Sequence, residues 1–498
     1  MPTHSLLLAL VLAHTGSAYV APPVSSLRPW RRPTRATACL VPSAGGERPV
    51  ERFDVAVVGG GSAGISICAM LRSSAPSLRV ALVEPSETHS YQPAWSLVGA
   101  NSYDAAASRR PMASVLPPGV EWIRRPVRSF DPAADTLHLG AEPASSTVGD
   151  TGASDASCLR YNRLVVCPGL ELDWGAIEGL AETLGANGVC SNYDYSTAQY
   201  TAELVRSMRA GARAVFTQPP SPIKCAGAPQ KAMYLSAFDW ESRGLLPSMS
   251  VAFYTATPTI FGVPAFVPAL ESYIDRYGAS THFEHTLSKV DGPRGLATFA
   301  RADGTTVETR FDMLHVVPPM RAVECVRESP LADASGYVEV NPETLRHTRF
   351  GNVWAAGDAV NAPNSKTGAA ARKQAPVVVH NLLQDVKVSE YPHASRTVAI
   401  YDGYGACPVL VEKGKAMLAE FGWGGNLLPS FPLWLIDGTQ PSRLTWLFIT
   451  LLLPLFYWLV LLPGRTALDP LSWPEVITAE EYKRRMPAAG AGAAGGCA

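Results

Sequence analysis

Three features of this 498-residue chain predict an α/β protein of two tandem Rossmann-like domains, the second inserted in the first, with a C-terminal membrane-associating segment. The first is an apolar run at residues 52–58 (RFDVAVV) that leads straight into Gly59-Gly60-Gly61-Ser62-Ala63-Gly64. The second is a pair of later apolar runs, residues 162–169 (NRLVVCPG) and 352–358 (NVWAAGD), separated by a long stretch with strands of its own. The third is an uncharged stretch at residues 444–463.

Gly59 to Gly64 satisfies the G-x-G-x-x-G spacing directly after a strand and at the start of a helix. Gly59 permits the tight turn, Gly61 lets the backbone approach a pyrophosphate, and Gly64 lets helix and strand pack closely. The helix N-terminus supplies N–H groups and a positive dipole to the phosphates. Glu84 closes the next strand, RVALVE, where an acid binds ribose hydroxyls. The late run ends in Gly357-Asp358, placed to bring an Asp to a flavin's ribityl and phosphate region, and the middle run ends in the Pro168-Gly169 turn. Early, middle and late stations together indicate FAD. They assign residues 47–170 and 316–385 to the FAD-binding domain and 171–315 to the inserted domain, with 386–498 as the C-terminal region.

The inserted domain departs from the nicotinamide pattern. After the strand ARAVFT comes Gln218-Pro219-Pro220-Ser221-Pro222, and prolines have no N–H to offer a pyrophosphate. No C-x4-C pair stands on the first helix, where Cys68 is alone and expected to pack. The loop instead presents Cys225 in PIKCAGAPQK, the obvious candidate for reducing the flavin.

The two ends are of another kind. Residues 5–18 (SLLLALVLAHTGSA) read as a signal peptide too short to span a membrane, and residues 19–46 lack acids but carry Arg28, Arg31, Arg32 and Arg35. The pair resembles the bipartite leaders of algae with secondary plastids; the other reading is an ordinary organelle presequence. Residues 1–46 are set aside from the fold. Residues 444–463 (LTWLFITLLLPLFYWLVLLP) are long enough to span, but Pro454 removes a helical hydrogen bond midway. Two short apolar helices dipping into one leaflet are expected, with Trp446, Tyr457 and Trp458 at the headgroup boundary. A buried pair of core helices is the other use of such a run.

Composition excludes some classes. The formal net charge of −1 makes no electrostatic case for nucleic acid. Nine cysteines without a CxxC pair do not form a disulfide framework or a zinc site, so no metal is expected.

KCAGAPQK, YQPAWSLVGA (91–100), VVPPM (316–320), PNSKTGAAARKQAPV (363–377) and YDGYGACPVL (401–410) resemble the sulfide:quinone oxidoreductases, closest to the mitochondrial branch and its bacterial relatives. The likeness runs from Phe53 to Gly464, in order. It implies an FAD-dependent monotopic membrane enzyme that oxidises hydrogen sulfide and passes two electrons to a quinone, ubiquinone or plastoquinone. A small-molecule thiol or sulfite would take the sulfur. It implies FAD contacts from Gly59, Gly61, Ser62, Ala63, Gly64, Glu84, Gln92, Val127 and Asp358, with Lys366 beside the isoalloxazine as a cation for the reduced flavin. It gives Cys225 the sulfide-derived persulfide. By family the compartment is the mitochondrial inner membrane; by leader it is a plastid.

The match breaks at the second redox cysteine. It is expected immediately after Gly-Asp, where this chain has Ala359 and Val360. Cys325 (RAVECVRESP) and Cys190 (GVCSNYDY) are the candidate replacements, and Cys225 acting alone with a small-molecule acceptor is the third possibility. Two other functions fit the scaffold: an NADH:quinone oxidoreductase, and a non-catalytic flavoprotein that lost turnover with the missing cysteine.

Overall fold

The computed structural model describes residues 51–141, 157–391 and 395–485; the leader assigned to residues 1–46 lies outside them. The first sheet has seven strands among the described residues. β1 (Glu51–Val58) is central and pairs in parallel with β2 (Val80–Val83) on one side and β3 (Ser157–Val166) on the other. Val120–Ile123 extends the sheet beyond β2, and Thr136–Leu139 with Val127–Asp131 forms an antiparallel flap on β3. β1 and β2 are buried on both faces, as the unbroken Val/Ala/Leu runs require of a parallel sheet covered on both sides. α1 (Ser62–Ser74) follows β1 through the glycine loop.

A second, all-parallel sheet is drawn entirely from residues between β3 and the last strand of the first sheet, which is what an inserted domain means. Its order is Val189–Cys190, Met313–His315, β4 (Arg213–Gln218), β5 (Ser250–Thr255) and Ser280–His282. β4 leads through residues 219–227 into α2 (Ala228–Ser242). The chain then returns to the first sheet as β6 (Val353–Ala355), parallel to β3, and continues into α3 (Gly368–Glu390).

The C-terminal region adds the hairpin β7 (Gly405–Glu412) and β8 (Lys415–Phe421), and an apolar helix, α4 (Arg443–Leu461), long and apolar enough to cross a membrane. Contrary to the sequence expectation, α4 is one helix and not two. Pro454 opens a short α-helical stretch between two π-helical turns, Phe448–Leu452 and Tyr457–Leu461, so the widened turn absorbs the proline where a break was expected. One face is docked: Tyr457, Trp458 and Leu461 are buried in the core of the first domain, and Ile449 meets Leu97, Leu235 and Leu410. The other face exposes Leu447, Leu451, Leu455 and Leu459 at intervals of four, near the exposed Leu433 and Trp434. A helix with one side seated and the other bare fits association with a membrane surface.

Candidate functional site

The glycine loop is shaped by contacts that only glycine tolerates. Gly59 has φ +101°, and a Cβ there would lie 2.3 Å from the carbonyl oxygen of Cys167. At Gly64 a Cβ would lie 1.9 Å from the carbonyl oxygen of Gly59, so α1 starts in direct contact with its own turn. Gly61 differs: nothing lies within 4 Å of its Cβ position, and no side chain caps α1. Gly169 (φ +81°) likewise has nothing within 4 Å of its Cβ position. Gly357 (φ +74°) has its Cβ position 3.6 Å from the Cβ of Ala63. Open space at Gly61, at the N-terminus of α1, fits the pyrophosphate of a dinucleotide.

Glu84 stands at the end of β2 as expected, and its carboxylate accepts the N–H of Gly60 and of Ser86, each at 2.7 Å. It therefore braces the glycine loop. Val127 opens the antiparallel flap and is partly buried. Asp358 follows Gly357, whose N–H is held by Gln374 Oε1 at 2.7 Å. Lys366 is buried, and its ammonium donates to the carbonyl oxygens of Asp358 (2.8 Å) and Val360 (2.9 Å) over the ring of Tyr337. Burial pulls its pKa down to about 8 against the opposing pull of Asp358 and Asp333. Its charge is thus spent on the Gly-Asp turn.

The cysteine loop is held to both domains through Lys224. Its N–H meets Met320 Sδ (3.2 Å), its carbonyl accepts from Tyr193 Oη (3.2 Å), and its ammonium donates to Gln92 Oε1 (3.1 Å). The Lys224 and Lys366 backbones pair in an isolated parallel bridge. The KCAGAPQK, YQP, PPM and SKT segments therefore converge on one place.

Cys225 adopts φ +78°, a left-handed conformation rare for a residue with a Cβ and found where surrounding structure enforces it. Cys407 is its neighbour, and the two thiols act on each other's acidity. Cys407 lies on β7, and its sulfur also sits 3.6 Å from Ser365 Oγ. Gly227 permits the approach: a Cβ there would lie 2.8 Å from Val409 Cγ2 and 3.6 Å from Cys407 Cβ. The two thiols are driven apart in acidity. The hydrogen bond from Cys407 pulls Cys225 down, to about 6, against burial and with help from the Lys231 ammonium and the N–H groups of Gly227 and Ala228. Lys231 Nζ is 3.9 Å from Cys225 Sγ. Cys407 is pushed well up by that same bond and by burial.

Neither expected replacement thiol is the one Cys225 meets. Cys190 is fully buried in its strand, where burial pushes its pKa to about 12 against a bond with Thr201. The segment that carries it does reach the pair, but through Tyr193. Cys325 sits on the short helix Glu324–Arg327 against the core of the first domain, and burial raises it to about 11. Cys68 is fully buried, as expected. The residue the structure brings to Cys225 is Cys407, which the sequence reading did not single out although YDGYGACPVL stood out as a motif. The available signal was its place in a strand whose alternate residues, Cys407, Val409 and Val411, face the core containing α2.

No protein-family model matches the chain. It is 34% identical over 414 residues to the mitochondrial sulfide:quinone oxidoreductase of Mus musculus, covering 83% of this chain and 87% of that protein. It is 33% identical over 429 residues to the mitochondrial sulfide:quinone oxidoreductase of Dictyostelium discoideum, covering 85% and 90%. Among solved structures, the sulfide:quinone oxidoreductase of Aquifex aeolicus superposes with a TM-score of 0.69 at 18% identity, over 86% of this chain and 98% of that one.

Proposed function

This chain belongs to the sulfide:quinone oxidoreductase family and is an oxidoreductase; from that premise we propose that it oxidises hydrogen sulfide at a Cys225–Cys407 pair and delivers two electrons, through FAD, to a membrane quinone. The observation that carries this reading is the juxtaposition of Cys225 and Cys407, in a loop where Cys225 is left-handed and Gly227 packs too closely on Val409, next to Cys407, for a side chain. FAD would be held by Gly59, Gly61, the backbone of Ser62, Ala63, Gly64, Glu84, Gln92, Val127, Gly169, Gly357, Asp358 and Lys366. When bound, it accepts two electrons from the sulfur centre and passes them to the quinone.

The unequal acidity of the thiols sets the direction of the sulfur chemistry. In the oxidised pair, hydrosulfide attacks one sulfur and the S–S bond breaks toward the better leaving thiolate. Cys225 is that thiolate, stabilised by Lys231 and the start of α2. The new sulfur–sulfur bond then forms on Cys407, which becomes the persulfide, whereas the family resemblance alone gave that role to Cys225. A thiol or sulfite removes the sulfane sulfur from Cys407, and re-forming the Cys225–Cys407 bond releases the two electrons. The bare face of α4, with Leu433 and Trp434, supports a membrane-surface site from which quinone enters. The names of the relatives support a mitochondrial location.

Anaerobic sulfide titration tests the assignment. Sulfide bleaches the flavin of the wild-type protein. Bleaching slows by at least about a thousandfold in Cys225→Ser and in Cys407→Ser, as expected for removal of a nucleophile or its partner. It stays within about threefold in Cys190→Ser and Cys325→Ser. Bleaching at the wild-type rate in Cys407→Ser removes that residue from the reaction.

A further inference from the structure

The sulfur chemistry leaves unused a closed chain of hydrogen bonds between α4 and the glycine loop. The hydroxyl of Tyr457, on α4, lies 2.8 Å from Ser62 Oγ and 2.6 Å from His89 Nε2. His89 Nδ1 lies 2.9 Å from the carbonyl oxygen of Gly60. A carbonyl only accepts, so Nδ1 carries the proton. Burial holds the imidazole neutral, its pKa pulled down to about 4 against the Gly60 bond. Nε2 is therefore an acceptor, Tyr457 donates to it, and the Tyr457 oxygen accepts from Ser62. The single hydroxyl hydrogen of Ser62 is thus committed to α4, leaving its backbone N–H for a phosphate.

Around this chain the two helices run side by side in the same direction. Ser66 Oγ donates to the carbonyl oxygen of Leu461 at 3.0 Å, and a Cβ at Gly464 would lie 2.9 Å from the Cβ of Ala69. Tyr91 packs on Tyr457 with ring centroids 4.6 Å apart, and the Arg110 guanidinium covers Trp458 at 4.1 Å. Ile449, toward the other end of α4, belongs to one buried cluster with Leu235 of α2 and Leu410 of β7. The apolar helix therefore rests on the elements that carry both loops.

We propose that Tyr457 and His89 are positioning residues for the bound dinucleotide, holding the Gly60–Ser62 turn in the shape its pyrophosphate needs and coupling the seating of α4 to cofactor retention. This rests on the FAD reading above. The coupling is reciprocal, because what helix docking adds to cofactor affinity the cofactor must add to helix docking.

The test uses the full-length protein on phosphatidylcholine vesicles, with FAD release followed by the recovery of free flavin fluorescence. Tyr457→Phe keeps the ring and its packing and removes only the hydroxyl; His89→Phe cuts the same chain at its next link. Each is expected to release FAD about tenfold faster than wild type, as the loss of a buried hydrogen-bond partner implies. Vesicle co-sedimentation stays at the wild-type level. The double variant releases no faster than the faster single, because both cut one chain. Release within twofold of wild type in both singles, or multiplied rates in the double variant, overturns the proposal. A wild-type protein that binds no FAD sinks the cofactor reading itself; tight FAD in wild type and variants alike sinks only this proposal.

Discussion

The chain builds the same strand–loop–helix unit twice and gives the helix start two different uses. β1 runs through GGGSAG into α1, whose first turn opens onto empty space at Gly61. β4 runs through QPPSPIKCAG into α2, and there the loop turns back on itself: Cys225 is left-handed, its carbonyl accepts the Ala228 N–H at 2.7 Å, and its sulfur sits at the start of α2, 3.9 Å from Lys231 Nζ. A helix N-terminus stabilises whatever negative charge is brought to it. On the proposed function, that charge is a ligand's phosphate in the first unit and the protein's own thiolate in the second. The second strands differ likewise. Beyond β2 stands Glu84, whereas beyond β5 stands Ala256, and the hydroxyl of Thr255 is paired with that of Thr257 at 2.7 Å. The inserted domain keeps the dinucleotide frame while its phosphate end serves sulfur.

Filling the open end of the first unit should break the comparison hardest. Gly61→Val adds a side chain where the structure has room but a pyrophosphate would lie. FAD affinity should fall by at least about a hundredfold, with the melting temperature of the apoprotein close to wild type. Isothermal titration of apoprotein with FAD measures the first and calorimetry the second. A Gly61→Val protein that binds FAD as wild type does would mean that the loop does not cradle the cofactor.

A smaller effect tests the second unit. In the reduced protein, alkylation of Cys225 by iodoacetamide should rise about tenfold per pH unit below its pKa of about 6 and level off above it, because the thiolate is the nucleophile. An ordinary cysteine levels off only near about 8.5. Cys407→Ala removes the largest of the acidifying contacts and should move the midpoint upward the most. Lys231→Met removes a lesser one and should lower the rate at pH 7 by up to about tenfold. Peptide-resolved mass spectrometry follows the site. A Cys225 midpoint near that of a free thiol would leave the start of α2 without the role described.

These two units also divide what was legible in the sequence from what was not. The glycine loop, Glu84 and the Gly-Asp turn were readable because their geometry is local: spacing along one strand and one helix places them. The prolines after β4 were readable for the same reason. The partner of Cys225 was not, because Cys407 arrives on a hairpin from the other end of the chain. Which face of that hairpin meets α2 depends on strand pairing, with Cys407 opposite Ala419, and not on any nearby motif. A partner directly after Gly-Asp would be set by a local motif, whereas Cys407 is brought in by a non-local contact. Lys366 shows the converse: its motif placed the residue in the site, but two nearby carbonyls decided what its charge does. In α4, Pro454 was rightly seen as an interruption, yet the cost is absorbed by π-helical turns that no residue pattern announces.

The smallest expected effect is a null one, and it sharpens the comparison from the other side. NADH should not bleach the flavin on the timescale of sulfide. Pro219, Pro220 and Pro222 have no N–H to offer a pyrophosphate, the Ala228 N–H is already taken by the Cys225 carbonyl at 2.7 Å, and no carboxylate stands at Ala256 for a ribose. The two hydrogen-bonding requirements of a nicotinamide dinucleotide thus fail at the same end of the second sheet, for independent reasons. Stopped-flow mixing of the anaerobic protein with millimolar NADH, set beside the same experiment with sulfide, reads the difference directly. Rapid bleaching by NADH would show that the second unit still binds a dinucleotide despite its prolines. The cysteine would then be an addition to the first use of the fold and not its replacement.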